Sequence, residues 1–100
     1  MITRLRANET VSGYTIRAWT GPATDEGVGL IALLEVLDPT GRPVCRFEEF
    51  LDDAVQRTTD WPRDEHEASL LLQERAIDRA RLAVAEGTLG SLNGHRFDLR

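Results

Sequence analysis

Hydrophobic and polar positions alternate most clearly near the N-terminus. From Val11 to Thr20 the chain reads VSGYTIRAWT, with Tyr14, Ile16 and Ala18 interleaved with Thr15, Arg17 and Trp19. A period of two in a β-branched and aromatic stretch predicts a strand. Residues 2–7 allow a short extended piece before it. Gly21-Pro22 and Asp25-Glu26-Gly27 then read as a loop.

The next signal is a hairpin. LIALLEVL (30–37) runs into Asp38-Pro39-Thr40-Gly41, and Arg42 to Phe47 follow. Asp, Pro and Gly at the first, second and fourth places fit a type I turn. A left-handed Gly41 adds a G1 bulge. This predicts Asp38 opposite Arg42, Leu34 opposite Arg46 and Leu33 opposite Phe47. Pro43, lacking an N–H, belongs at the strand's start or points outward.

The first hairpin strand does not alternate as a one-sided strand should. Leu30, Ala32, Leu34 and Val36 lie on one face, and Ile31, Leu33, Glu35 and Leu37 on the other. The predicted register adds Val44 to the first face and Cys45 and Phe47 to the second. One helix covers one face, so the second needs cover. The 48–57 segment or the N-terminus can supply it internally, or another protein or a second copy can supply it from outside.

In EEFLDDAVQR (48–57), Phe50, Leu51, Ala54 and Val55 recur at helical spacing and predict a short helix. Residues 58–63 read as a loop, with Asp60 or Asp64 available as an N-cap. The strongest helix is 65–86. Asp64 and Glu67 form a D-x-x-E capping box. Ser69, Gln73, Ala76, Ile77, Ala80, Ala83 and Val84 form its apolar stripe, with Leu70 beside it. Leu71, Leu72 and Leu82 fall off that stripe and widen the core face or make a ridge for a partner helix. Arg75–Asp78 and Asp78–Arg81 are helical i,i+3 pairs, and Gly87 stops the helix. Asn93-Gly94 reads as a turn before a last short strand that includes His95, Phe97 and Leu99.

These elements predict one α+β domain over residues 1–100. It has three or four antiparallel strands, one long C-terminal helix on one face and a possible short helix before it. One hundred residues with 41% hydrophobic content suffice for a single core. One cysteine, Cys45, cannot form an intramolecular disulfide. The first ten residues lack the apolar run of a signal peptide, and no apolar run is long enough to span a membrane. Together these favour a cytoplasmic protein.

Charge and chemistry narrow the function classes. The net charge is −5, and all twelve basic residues are arginine. Without lysine there is neither Schiff-base chemistry nor a P-loop. Residues 48–67 hold eight acids (Glu48, Glu49, Asp52, Asp53, Asp60, Asp64, Glu65 and Glu67) against Arg57 and Arg63. That concentration opposes general nucleic-acid binding. It is either a solvated, helix-capping surface or a docking patch for a basic partner, with Trp61 as anchor. Glu65-His66-Glu67 lacks an HExxH partner, and His95 is far away in sequence. Cys45 on a strand is ordinarily a small hydrophobe. No metal, cofactor or catalytic set is therefore expected.

The expectation is a small non-catalytic interaction protein of the inhibitor, immunity or adaptor type. Its contact residues would be Ile31, Leu33, Phe47, Glu48, Glu49, Asp52, Asp53 and Trp61, and its partner another protein or a second copy in a homodimer. The alternative is a weak single-stranded RNA-binding module in which Arg17, Trp19 and Arg46 stack and pair with bases.

Overall fold

Ser12 and Gly13 both adopt left-handed backbone, at φ 51° and 83°, and turn the chain back on itself within what reads as one β stretch. Two consecutive positive-φ residues match the twist of a two-residue hairpin. Strand β1 (Leu5–Val11) thus pairs antiparallel with β2 (Tyr14–Pro22), Val11 opposite Tyr14 and Leu5 opposite Thr20. The computed structural model describes residues 5–23 and 29–99. The extended piece expected at 2–7 is therefore the start of β1 from Leu5 onward, and the Asp25–Gly27 loop lies outside the described residues. Gly21 and Pro22 continue β2, opposite Ile31 and Leu30, instead of starting a loop.

Strand β3 (Gly29–Leu37) pairs with β2 on one side and β4 (Pro43–Asp52) on the other. The turn between β3 and β4 forms as its sequence predicts. The Asp38 N–H donates to the Arg42 carbonyl at 2.8 Å, the Gly41 N–H donates to the Asp38 carbonyl at 2.9 Å, and Gly41 has φ 89°. The Asp38 carboxylate accepts from the Thr40 N–H, the Thr40 hydroxyl and the Arg42 N–H.

Beyond the turn the register departs from expectation. Leu37 faces Pro43, but Val36 faces Cys45, so Val44 is an extra residue on β4. The inserted residue shifts every later pair by one. Leu34 meets Phe47, not Arg46; Leu33 meets Glu48, not Phe47; Glu35 meets Arg46. Cys45 and Phe47 thereby move to the face that carries Leu34 and Val36.

Strand β4 runs to Asp52, so the helix expected from residue 48 begins at Asp53. Residues 48–51 pair with both β3 and the last strand, and two ladders of backbone hydrogen bonds override a helical spacing of four side chains. Helix α1 (Asp53–Thr58) is capped by the Asp52 carboxylate, which accepts from the Ala54 N–H at 2.8 Å. Helix α2 (Glu65–Glu86) starts at Asp64, whose carboxylate accepts from the Glu67 N–H at 3.0 Å. It stops at Gly87, left-handed at φ 70°.

After the one-turn helix α3 (Leu89–Leu92), Asn93 and Gly94 tie the chain back to β4. The Asn93 side-chain oxygen accepts from the Arg46 N–H at 3.0 Å, and the Gly94 N–H donates to the Arg46 carbonyl at 2.7 Å. Strand β5 (Arg96–Leu99) then lies parallel to β4. The sheet is therefore five-stranded and mixed, in the order β1-β2-β3-β4-β5, where three or four antiparallel strands were expected. A parallel neighbour needs a crossover, and α1, α2 and α3 are that crossover.

Helix α2 covers one face. The core there joins Ile16, Ala18, Leu30, Ala32, Leu34, Val36, Cys45, Phe47, Leu51 and Leu99 of the sheet to Ala68, Leu72, Ala76, Ile77, Ala80 and Ala83 of α2. The expected stripe is the buried one except at its edge, where Val84 is half-buried, and Leu70, expected beside it, is exposed. Leu72, expected off the stripe, is fully buried, whereas Leu71 and Leu82 stay exposed.

Candidate functional site

The face of the sheet opposite α2 is built by the alternate strand residues. Across its middle run Arg6, Trp19, Leu33, Glu48 and Arg96, each opposite the next on the adjoining strand. A second row holds Asn8, Arg17, Glu35 and Arg46, and a third Gly21, Ile31, Phe50 and Asp98. No described helix lies on this face.

Part of the face covers itself. Phe50 is only 7% exposed, because the Arg96 guanidinium lies 4.6 Å over its ring and Gly29 packs beneath it. A Cβ on Gly29 would stand 3.0 Å from the Phe50 ring and 2.5 Å from the Leu51 carbonyl oxygen, so this close approach requires glycine. Glu35 is clasped between Arg46, at 3.3 Å, and Arg17, at 3.9 Å. Ile31 is half-buried.

What remains open is a small apolar centre. Leu33 is 44% exposed and Trp19 is 36% exposed, side by side across the β2–β3 pairing. They line a groove of about 580 Å³ together with Glu35, Arg46, Glu48, Gly94 and His95. Among the described residues Glu48 forms no ion pair, and it is half-buried beside Leu33.

The expected contact residues divide accordingly. Ile31, Leu33 and Glu48 share the open face. Phe47 does not: the Val44 bulge turns it to the helix side, where it is buried edge-on against Phe97 with ring centroids 6.0 Å apart. Glu49, next to Glu48 on a strand, points the opposite way and is 1% exposed. Its Oε2 accepts from Arg79 Nε at 2.9 Å, and Oε1 has no hydrogen-bond partner among the described residues. Arg79 in turn lies 3.9 Å over the Phe97 ring. Trp61 packs at the core edge, with Arg75 5.3 Å from its ring centre.

The acidic run is thus not one surface. Asp52 and Asp64 are helix caps, Asp53 pairs with Arg57, Glu49 is buried, and Glu48 belongs to the open face. The alternative trio fares differently: Arg17, Trp19 and Arg46 do lie on one face, with Glu35 between the two arginines. The Arg6–Trp19 pairing was invisible until the β1–β2 turn at Ser12-Gly13 set the register.

Among the described residues no three His, Cys, Asp or Glu side chains are placed to hold a metal ion. Cys45 is 2% exposed beneath α2, and burial pushes its thiol pKa up, opposite to what a thiolate nucleophile needs. No described helix is long and apolar enough to cross a membrane. Comparison with protein-family models, curated proteins and solved structures finds no match to this chain.

Proposed function

We propose that this chain is a non-catalytic protein-interaction module of the adaptor, inhibitor or immunity type, and that the open sheet face is where it binds a protein partner. The observation that carries this reading is the adjacent pair Trp19 and Leu33, exposed at the centre of a five-stranded sheet and framed by Arg17, Glu35, Arg46 and Glu48. An aromatic and an aliphatic anchor inside a charged rim is the anatomy of a protein contact. A buried sheet centre needs such residues, and an idle solvated one does not. The rim fixes orientation and register.

The test compares captured partners for the wild-type chain and for Leu33→Asp and Trp19→Ala, all checked for native circular dichroism. The reading requires a defined protein, captured in stoichiometric amount by the wild type, to be lost with both variants. Equal capture by all three chains refutes it. The clustering of Arg17, Trp19 and Arg46 favours a second reading, single-stranded RNA stacked on Trp19. That reading requires oligonucleotide binding that quenches tryptophan fluorescence and weakens as salt rises. Absence of any such binding at low salt removes it.

A further inference from the structure

A different surface carries an inference independent of the sheet face. Leu82 is 58% exposed and Leu71 39% exposed, both on the side of α2 away from its buried Leu72, Ala76, Ala80 and Ala83. Leu71, Arg75, Asp78 and Leu82 are spaced four, three and four residues apart, so they form one ridge along the helix. That is the spacing of a coiled-coil seam. Arg75 and Asp78 are exposed as well, Arg75 lying over the Trp61 ring and Asp78 pairing along the helix with Arg81. The two leucines stand about 16 Å apart along the axis at 1.5 Å rise per residue.

The ridge is symmetric about its centre, with leucine at both ends and opposite charges at the two inner places. A second α2 laid antiparallel on it puts Leu71 against the partner's Leu82 and Arg75 against the partner's Asp78. The two-fold repeats both contacts. A parallel pairing would instead set Arg75 against Arg75 and Asp78 against Asp78, and like charges across a seam repel. We propose that the chain forms an antiparallel two-fold dimer through the Leu71–Leu82 ridge of α2. The two sheet faces then point outward, one on each side of the assembly, and the dimer presents two copies of the open face.

With two leucine contacts per helix the interface is small, so association is expected in the micromolar range. Sedimentation velocity of the full chain over a concentration series tests it. The wild type should pass from monomer to dimer. Arg75→Asp alone and Asp78→Arg alone each place like charges in the seam and should weaken dimerisation by more than about tenfold. The double variant Arg75→Asp/Asp78→Arg restores opposite charges in mirrored positions and should recover the dimer. Leu82→Glu, at a site too exposed to upset the fold, should leave only monomer, with circular dichroism unchanged. A wild type that stays monomeric throughout overturns the proposal. So does a dimer that survives Leu82→Glu, one that Leu33→Asp disperses instead, or single charge variants that the double does not rescue.

Discussion

Leu33 and Leu34 are consecutive, chemically identical and on the same strand, yet Leu34 is 2% exposed and Leu33 44%. The two faces of the sheet differ in the same way. On the helix side, most of the few buried polar side chains find partners: Thr20 donates its hydroxyl to the Gln73 side-chain oxygen at 3.1 Å, and Glu49 accepts from Arg79 through one of its two oxygens. On the open side, charges alternate with apolar groups along the exposed surface, and Glu35 is held between Arg17 and Arg46. The contrast teaches where the energy of folding sits and which apolar surface the single chain leaves exposed. A leucine beneath α2 contributes to stability, and one on the open face contributes little to the single chain.

The largest test of this contrast is a matched pair. Leu34→Ala should cost about 2–5 kcal/mol through lost burial and a residual cavity, while Leu33→Ala should cost about 0.5 kcal/mol or less, as a surface change. Chemical denaturation of both variants measures the gap, and equal losses would erase the distinction between the faces. Next comes Gly29→Ala. Its new methyl meets the Leu51 carbonyl oxygen and the Phe50 ring, so about 1–3 kcal/mol of overpacking is expected. A neutral result would mean that the Phe50–Arg96 cover on the open face is loose.

A smaller effect sharpens the electrostatic side. The Arg81 guanidinium, hydrogen-bonded to both Glu9 oxygens, holds the Glu9 carboxyl below its ordinary value. The Thr40 hydroxyl and the Arg42 N–H do the same for Asp38. A carboxylate whose pKa is lower in the folded state stabilises fully above its unfolded value and loses that contribution as pH falls through the folded one. Denaturation midpoints should therefore be flat at neutral pH and drop below about pH 4.5, the ordinary value for Glu9. In Glu9→Gln the drop should be shallower, and a drop of unchanged size would remove the Glu9–Arg81 clasp from the account. The smallest effect is expected for Arg46→Ala. Its ion pair with Glu35 is exposed on the arginine side, so its loss should change stability by about 0.5 kcal/mol or less.

The long helix was legible to the residue. Asp64, the 3.6-residue stripe and Gly87 are local signals, and each acts within a turn or two of chain. The Asp38–Gly41 turn was legible for the same reason. The candidate site was legible in part: Ile31, Leu33 and Glu48 share the open face, whereas Phe47 and Glu49 do not. One inserted residue, Val44, decides this, because a strand has a period of two and any single insertion exchanges its faces. Nothing local marks Val44 as the insertion. Pairing with β3 selects it, since the register it produces buries Cys45 and Phe47 under α2.

What the sequence by itself determined is the list of local elements: two tight turns, a capped helix of six turns, and strands with enough apolar residues for a core. Tertiary structure alone decided three things. It extended β4 through Glu48–Asp52, because two neighbouring strands offer backbone partners that a lone helical segment cannot match. It placed β5 parallel beside β4, through the hydrogen bonds of Asn93 and Gly94 to Arg46, 47 residues away in sequence for Asn93. It also divided the leucines between core and surface, burying Leu34 and Leu72 and leaving Leu33, Leu71 and Leu82 in water. That division follows from which face α2 lies on, a long-range fact to which the hydrophobicity of a single residue is blind.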